Sequence, residues 1–161
     1  MAGVAVEIFK HNLWANLRLL DACAALSEED LEATAPGTYG KVRDTLVHLF
    51  ASEGRYVGEF NGKREFMLTE EEPFAGFEAL RAHAVTSGEA LITIAGRANA
   101  DRVLRGTYRD QPYVMLASML LVQAINHATE HRSHIVSILS QRGVETPRID
   151  GLAYFTASQN G

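Results

Sequence analysis

Gln111–Gly143, QPYVMLASMLLVQAINHATEHRSHIVSILSQRG, carries the strongest pattern in the chain. It reads as one long helix. Asp110 is placed to cap it, and Pro112 falls in the first turn, where a missing N–H costs nothing. Gly143 follows Arg142 at the position where a helix commonly ends in a left-handed residue. Leu116, Leu120, Ala124, His127, His131, Ile135 and Ile138 recur at helical spacing, so the apolar stripe runs directly into two histidines four residues apart. Imidazoles on a core-facing stripe need partners, because an unpartnered buried polar group is costly. A divalent metal is one such partner, and His-x-x-x-His on a helix is a common way to hold it; hydrogen-bonded core histidines are the other reading.

Outward from that stretch, three more helices are expected. Val4–Leu26 has a stripe of Phe9, Leu13, Leu17, Leu20 and Ala24, broadened by Ile8 and Trp14, with Cys23 close to it as a small core residue. Ser27 and Asp30 have capping-box spacing, and Ala35-Pro36-Gly37 breaks the chain. Val42–Phe60 turns Val42, Leu46, Leu49 and Phe50 to a core, with Tyr56 and Phe60 further on; Asn61-Gly62-Lys63 ends it. Thr69–Pro73, TEEEP, has the acidic character of a helix start. Phe74–Ala95, interrupted by Gly76 and Gly88, has Phe77, Leu80, Ala84, Leu91 and Ile94 as inward residues and Gly96 as its stop. Asp101–Arg109 alternates and looks extended, a short hairpin or a connector but too little strand for a sheet. After Gly143, residues 146–151 form a turn, Leu152, Tyr154 and Phe155 offer apolar groups to pack back, and the last five residues are expected to be loose. The fold expected is all-α: a four-helix bundle over a single domain, residues 1–161, with a short extended connector before the last helix.

Bulk properties narrow the function. A net charge of −5 with scattered positive residues argues against nucleic acid and anionic membranes as partners. A single cysteine excludes an intrachain disulfide. With no signal peptide and no apolar run of about 20 residues, a cytoplasmic location is expected.

Of the six histidines, His48 is the best source of a third ligand, being the only other one among strong core positions. His134 is its rival, since i, i+4, i+7 also shares a face; it is otherwise a residue behind the ligands or at the pocket mouth. His11 and His83 read as surface or boundary residues. Three imidazoles leave a coordination position open, as catalytic zinc sites do, and suit zinc, nickel, iron or copper. Glu130 is spaced to reach the site's edge as a base, or else is a solvated carboxylate; Asp44, one turn before His48, either orients an imidazole or is surface charge.

At these residues the sequence resembles the DinB/YfiT-like family of metalloenzymes. Asn126-His127-Ala128-Thr129-Glu130-His131-Arg132-Ser133-His134 is similar to its last-helix motif, and Gly40-Lys41-Val42-Arg43-Asp44-Thr45-Leu46-Val47-His48 to its earlier one. Trp14-Ala15-Asn16 with Leu19-Leu20, and Pro147–Gly151, also match. The resemblance implies an up-down-down-up bundle with His48, His127 and His131 as a metal triad. Three positions depart from it. Lys41 stands where a capping Ser is usual, so Thr38 is expected to cap instead. Glu130 replaces a second His, and His134 replaces a Gln at the pocket rim. The family's members are often dimers, so a homodimer is expected, and some resemble transferases that use low-molecular-weight thiols.

Two functions follow as expectations. One is an enzyme in which a divalent metal, zinc, nickel or iron, activates a thiol cofactor or water toward a small electrophilic substrate, with Glu130 and His134 as its catalytic residues. The other is a non-catalytic metal- or small-molecule-binding protein of the stress response. A cavity beside the metal lined by Tyr56, Arg132 and His134 would separate them.

Overall fold

The computed structural model describes residues 3–62, 68–71, 73–97, 101–108 and 110–159. Among them the elements are α1 (Val4–Ala24), α2 (Glu28–Leu31), α3 (Val42–Asn61), α4 (Phe77–Arg97), β1 (Val103–Tyr108), β2 (Gln111–Leu116), α5 (Ala117–Gln141) and α6 (Gly151–Gln159). Four long helices, α1, α3, α4 and α5, pack around a core built from Leu19, Leu20, Leu46, Leu49, Phe50, Leu80, Ile135, Ile138 and Leu139. Residue contacts give their directions. His48 meets His127 while Tyr56 meets Gln123, so α3 and α5 run antiparallel. Arg81 pairs with Asp21 while Gly96 lies against Val6, so α1 and α4 are antiparallel as well. Gly88 is where those two approach closely: a Cβ there would stand 2.6 Å from Leu13 Cδ1. Among the described residues no helix is long and apolar enough to cross a membrane.

Several helix ends follow the local chemistry. Ser27 caps α2, accepting from the Asp30 backbone N–H at 3.1 Å, as the spacing predicts. Gly62 ends α3 with φ 69°. Gly143, φ 74°, closes α5 with paired bonds from Val144 N to Leu139 O at 3.0 Å and Gly143 N to Ser140 O at 3.1 Å, which satisfy two carbonyls the helix leaves free.

The chain is mostly helical but not all-α. Gln111–Leu116 is not the first turn and a half of a helix; it pairs antiparallel with β1, from Tyr108↔Gln111 to Val103↔Leu116. Asp110 is therefore not an N-cap; it stands at φ 61° in the turn joining the strands. Alternation wins here over helical period: Tyr113 and Met115 turn inward while Val114 is exposed. In a two-stranded sheet both strands are edges, so Pro112 is tolerated. Gly106, opposite Tyr113, makes room for that ring, whose hydroxyl donates to Glu59 of α3. Leu104 packs with Phe60 and Leu120, and α5 starts at Ala117, whose N–H donates to Arg102 O at 2.8 Å.

Other corrections are smaller. The third long helix begins at Phe77, not Phe74, because Gly76 at φ 93° lies outside it, and Thr69–Pro73 does not start a helix: residues 70 and 71 form a turn, and Glu72 lies outside the described residues. Thr38 does not cap α3; it bonds back to Ala35, and Lys41 occupies the cap without a side-chain bond. Residues 157–159 are not loose but belong to α6, whose start is capped by Asp150; residues 160 and 161 lie outside the described residues. Tyr154 packs back on Trp14, whereas Leu152 and Phe155 are exposed.

The buried stripe of α1 is also displaced from the apolar one. Asn12, Ala15, Asn16 and Leu19 are buried, while Ile8 is 41% exposed. Asn12 Nδ2 and Asn16 Nδ2 donate to Glu53 Oε1 at 2.7 and 2.8 Å, and their oxygens accept from Arg132 at 2.6 and 2.7 Å. The two amides thus stand between a buried carboxylate on α3 and a buried guanidinium on α5. Burial pushes the Glu53 carboxyl above its ordinary range against the pull of both amides and Arg132, and lowers Arg132 to about 10.

Candidate metal centre

His48 lies in the second turn of α3; His127 and His131 lie one turn apart on α5. Antiparallel packing of these helices brings the three rings together. One nitrogen from each falls within 4.8 Å of the others. His48 Nε2 stands 3.0 Å from His127 Nε2. The ring centroids are 4.9 Å apart for His48–His127, 4.7 Å for His48–His131 and 4.3 Å for His127–His131. His131 is buried, and the other two are half-buried.

The surroundings keep two of these imidazoles neutral. Burial, with the neighbouring rings adding to it, lowers His127 to about 3 and His131 to about 4. Lone pairs are therefore available at neutral pH. The Nδ1 atoms of His127, His131 and His134 are buried without a hydrogen-bond partner. A cluster of hydrogen-bonded core histidines would not leave such atoms orphaned. One nitrogen from each of the three rings, two of which burial keeps neutral, makes a donor set that suits a divalent cation.

His48 is supported from behind. Its Nδ1 stands 2.9 Å from Glu70 Oε2 and 3.0 Å from the Tyr39 hydroxyl, which itself donates to Glu70 Oε2 at 3.1 Å. The other Glu70 oxygen takes Arg55 at 2.9 Å, and Arg55 also donates to Ser52 Oγ at 2.6 Å. Burial alone would raise the Glu70 carboxyl, but the bonds from Arg55 and His48 outweigh it and hold it at about 2. The Tyr39 ring stacks on His48 at 4.1 Å and meets His131 edge-on at 5.0 Å.

The candidates named from sequence are distributed as follows. His48, His127 and His131 converge. His134 stands beside them, its ring 5.4 Å from that of His131. Glu130 and Asp44 are exposed and outside the cluster. Tyr56 meets the His127 ring edge-on at 5.8 Å, but Arg132 is turned away into the buried asparagine network. His83 and His11 are boundary residues, each bonded to a backbone carbonyl, of Phe50 and Ile149 respectively. In the sequence the acidic run around Glu70 reads only as a helix signal, and Tyr39 carries no signal. Nothing in the local sequence points from Glu70 to a histidine 22 residues away.

Comparison with known proteins agrees with this fold. A sequence model described as the DinB family matches residues 1–161. Two solved structures are similar in fold. A DinB-like protein from Bacillus cereus ATCC 10987 has a TM-score of 0.66 at 17% identity, covering 86% of this chain and 91% of its own. A DinB-like protein from Bacillus subtilis has a TM-score of 0.58 at 17% identity, covering 89% of this chain and 97% of its own. No protein with a curated description matches.

Proposed function

We propose that this chain, which belongs to the DinB family, holds a divalent metal between His48, His127 and His131. Its activity, on this reading, is to turn a low-molecular-weight thiol, or water, into a nucleophile toward an electrophilic small molecule. The observation that carries this reading is the convergence of one nitrogen from each of the three rings within 4.8 Å, with His127 and His131 kept neutral by burial and their neighbours. When bound, a divalent cation supplies a Lewis acid that lowers the pKa of a thiol or water in an open coordination position. Zinc, nickel and iron all suit imidazole donors. Three protein ligands with a place left over is the pattern of catalytic rather than structural sites.

The chain's own residues supply the rest. Tyr39, stacked on His48, keeps water from that side of the ring. On this reading His134, whose ring adjoins that of His131, takes or returns a proton at the rim, whereas Glu130 faces solvent outside the cluster. Thiol transfer and metal-assisted hydrolysis use the same arrangement and differ only in the nucleophile.

One observation favours a second reading, a non-catalytic metal- or small-molecule-binding role in stress. Arg132, expected to line a cavity beside the metal, is turned into the buried asparagine network instead.

Elemental analysis of protein purified without a histidine tag tests the centre. Near-stoichiometric metal in wild type and none in His127→Ala is expected; no metal in either, after soaking with zinc, nickel and iron, overturns it. Cobalt-substituted protein then separates the readings. A visible spectrum that changes on adding a small thiol supports the enzyme. A spectrum that is unmoved, with metal only raising the melting temperature, supports the binding protein.

A further inference from the structure

The support of the three candidate ligands is lopsided. A metal-binding imidazole ordinarily donates its other N–H to a carboxylate or carbonyl, which fixes its tautomer and orientation. His127 and His131 have no partner at Nδ1, whereas His48 has two. We propose that Glu70 is the positioning residue of this centre: it accepts the Nδ1–H of His48, so that the Nε2 lone pair faces His127 and His131, and it ties residues 68–71 to α3 through Arg55. This presupposes the metal centre proposed above and adds a residue that its three ligands do not include.

The geometry decides the tautomer. Glu70 is paired with Arg55 at 2.9 Å, so its carboxylate is a pure acceptor. A His48 ring with its proton on Nε2 would set the Nδ1 lone pair against that carboxylate across 2.9 Å, acceptor against acceptor. It would also put an N–H where a bound cation needs a lone pair. With the proton on Nδ1 both conflicts vanish. Tyr39 reinforces the arrangement, because its hydroxyl donates to Glu70 Oε2, the same oxygen that faces His48. Arg55 reinforces it from the other side. Anchored to Ser52 and lying on the same helix as His48, it holds Glu70 in register with that helix. The carboxylate is thus fixed by three side chains, His48, Tyr39 and Arg55, and it reaches α3 from a segment that contributes no ligand of its own.

The consequence is an unequal set of ligands. His48 is pre-oriented before any cation arrives, and the helix α5 pair closes onto it. Removing Glu70 leaves all three imidazoles in place but frees the His48 ring to turn and to change tautomer. The expected loss is about 10- to 100-fold in metal affinity, the range seen when such supports are removed.

The test uses the full chain as wild type, Glu70→Gln, Glu70→Ala and His48→Ala. Zinc affinity is measured by competition with a chromophoric chelator, and the His48 tautomer by ¹⁵N NMR of the metal-free protein at neutral pH. The wild type should show His48 protonated at Nδ1. Glu70→Ala should lose about 10- to 100-fold in zinc affinity with an unchanged helical spectrum, and Glu70→Gln, which keeps an acceptor oxygen without the charge, should fall between. Unchanged zinc affinity in Glu70→Ala, or an Nε2-protonated His48 in wild type, overturns the assignment while leaving the metal centre standing. If wild type binds no zinc, nickel or iron, the metal centre itself fails. The tautomer measurement, made without metal, still judges whether Glu70 sets the His48 ring.

Discussion

Replacing Arg132 with Met should cost several kcal/mol of stability, about 3–5, and the cost should depend on pH. The guanidinium is 5% exposed and donates to Asn12 Oδ1 and Asn16 Oδ1 at 2.6 and 2.7 Å. Methionine fills much of its volume but leaves two buried amide oxygens without donors, at about 1–3 kcal/mol each. It also strips Glu53, 1% exposed, of the countercharge it meets through the asparagine bridge. Breaking a buried charge pair from one side costs about 3–5 kcal/mol, in the same range as the two orphaned oxygens. At about 2–4 °C per kcal/mol for a chain of this size, the melting temperature should fall by roughly 6–20 °C. The Glu53 carboxyl in the folded protein titrates above its unfolded value of 4.5. Between those two values the folded state keeps a proton the unfolded chain has released, so stability falls as pH rises through that window, and the full cost of ionising Glu53 is present above it. Losing Arg132 raises the folded value further and widens the window. The deficit of Arg132→Met should therefore be larger at about pH 8 than at about pH 5. Adding Glu53→Gln, which still accepts from both asparagines but carries no charge, should recover about 1 kcal/mol or more relative to additivity. Urea unfolding followed by circular dichroism measures all four proteins at both pH values. A deficit below about 1 kcal/mol, or one equal at both pH values, would refute the account of a charge pair held through two asparagines.

Three further outcomes are expected. Gly88→Ala gains up to about 1 kcal/mol of helix propensity, but its Cβ would stand 2.6 Å from Leu13 Cδ1 and 3.2 Å from Leu13 Cβ. Overpacking at about 1–3 kcal/mol outweighs the gain, so thermal melts should show a less stable protein, and a more stable one contradicts the close α1–α4 approach. Burial raises the Cys23 thiol to about 12, leaving a thiolate fraction of roughly 10⁻⁴ at about pH 8. A disulfide reagent should then label it only after unfolding, and rapid labelling of the native protein counts against its burial. Asp150→Ala removes the acceptor for the Leu152 and Ala153 backbone N–H groups, at about 0.5–2 kcal/mol, so hydrogen exchange should quicken across α6 and leave α1, α3, α4 and α5 as in wild type.

The three histidines that cluster were legible because each stands where an apolar residue is expected. His127 and His131 interrupt the stripe of Leu120, Ala124, Ile135 and Ile138, and His48 falls between Leu46 and Leu49. The long helices were legible from the same periodicity. Of the hairpin only β1 was, inside the alternating Asp101–Arg109; β2 was not. Leu116, Leu120 and Ala124 continue helical spacing back into β2, while the alternation that pairs β2 with β1 needs both strands to be seen at once. The inward face of α1 was hidden for a related reason. Asn12 and Asn16 look like surface residues until Glu53 and Arg132, 41 and 120 positions from Asn12, supply the groups that make their burial affordable. Glu70 was invisible on the same grounds: its meaning depends on a histidine in another element.

His48 and His127 lie 79 residues apart in the chain and 3.0 Å apart in space. In an unfolded chain, closing a loop of that length costs about 4 kcal/mol of entropy, whereas His127 and His131 are neighbours in any nascent helix. A cation offered to the unfolded polypeptide therefore meets a two-histidine site of low affinity, and the third donor arrives only when α3 docks on α5. On the reading proposed above, metal binding is then linked almost wholly to the folded state. A bound cation would act as a removable cross-link between two helices, raising stability with the logarithm of free metal and slowing the step in which they part.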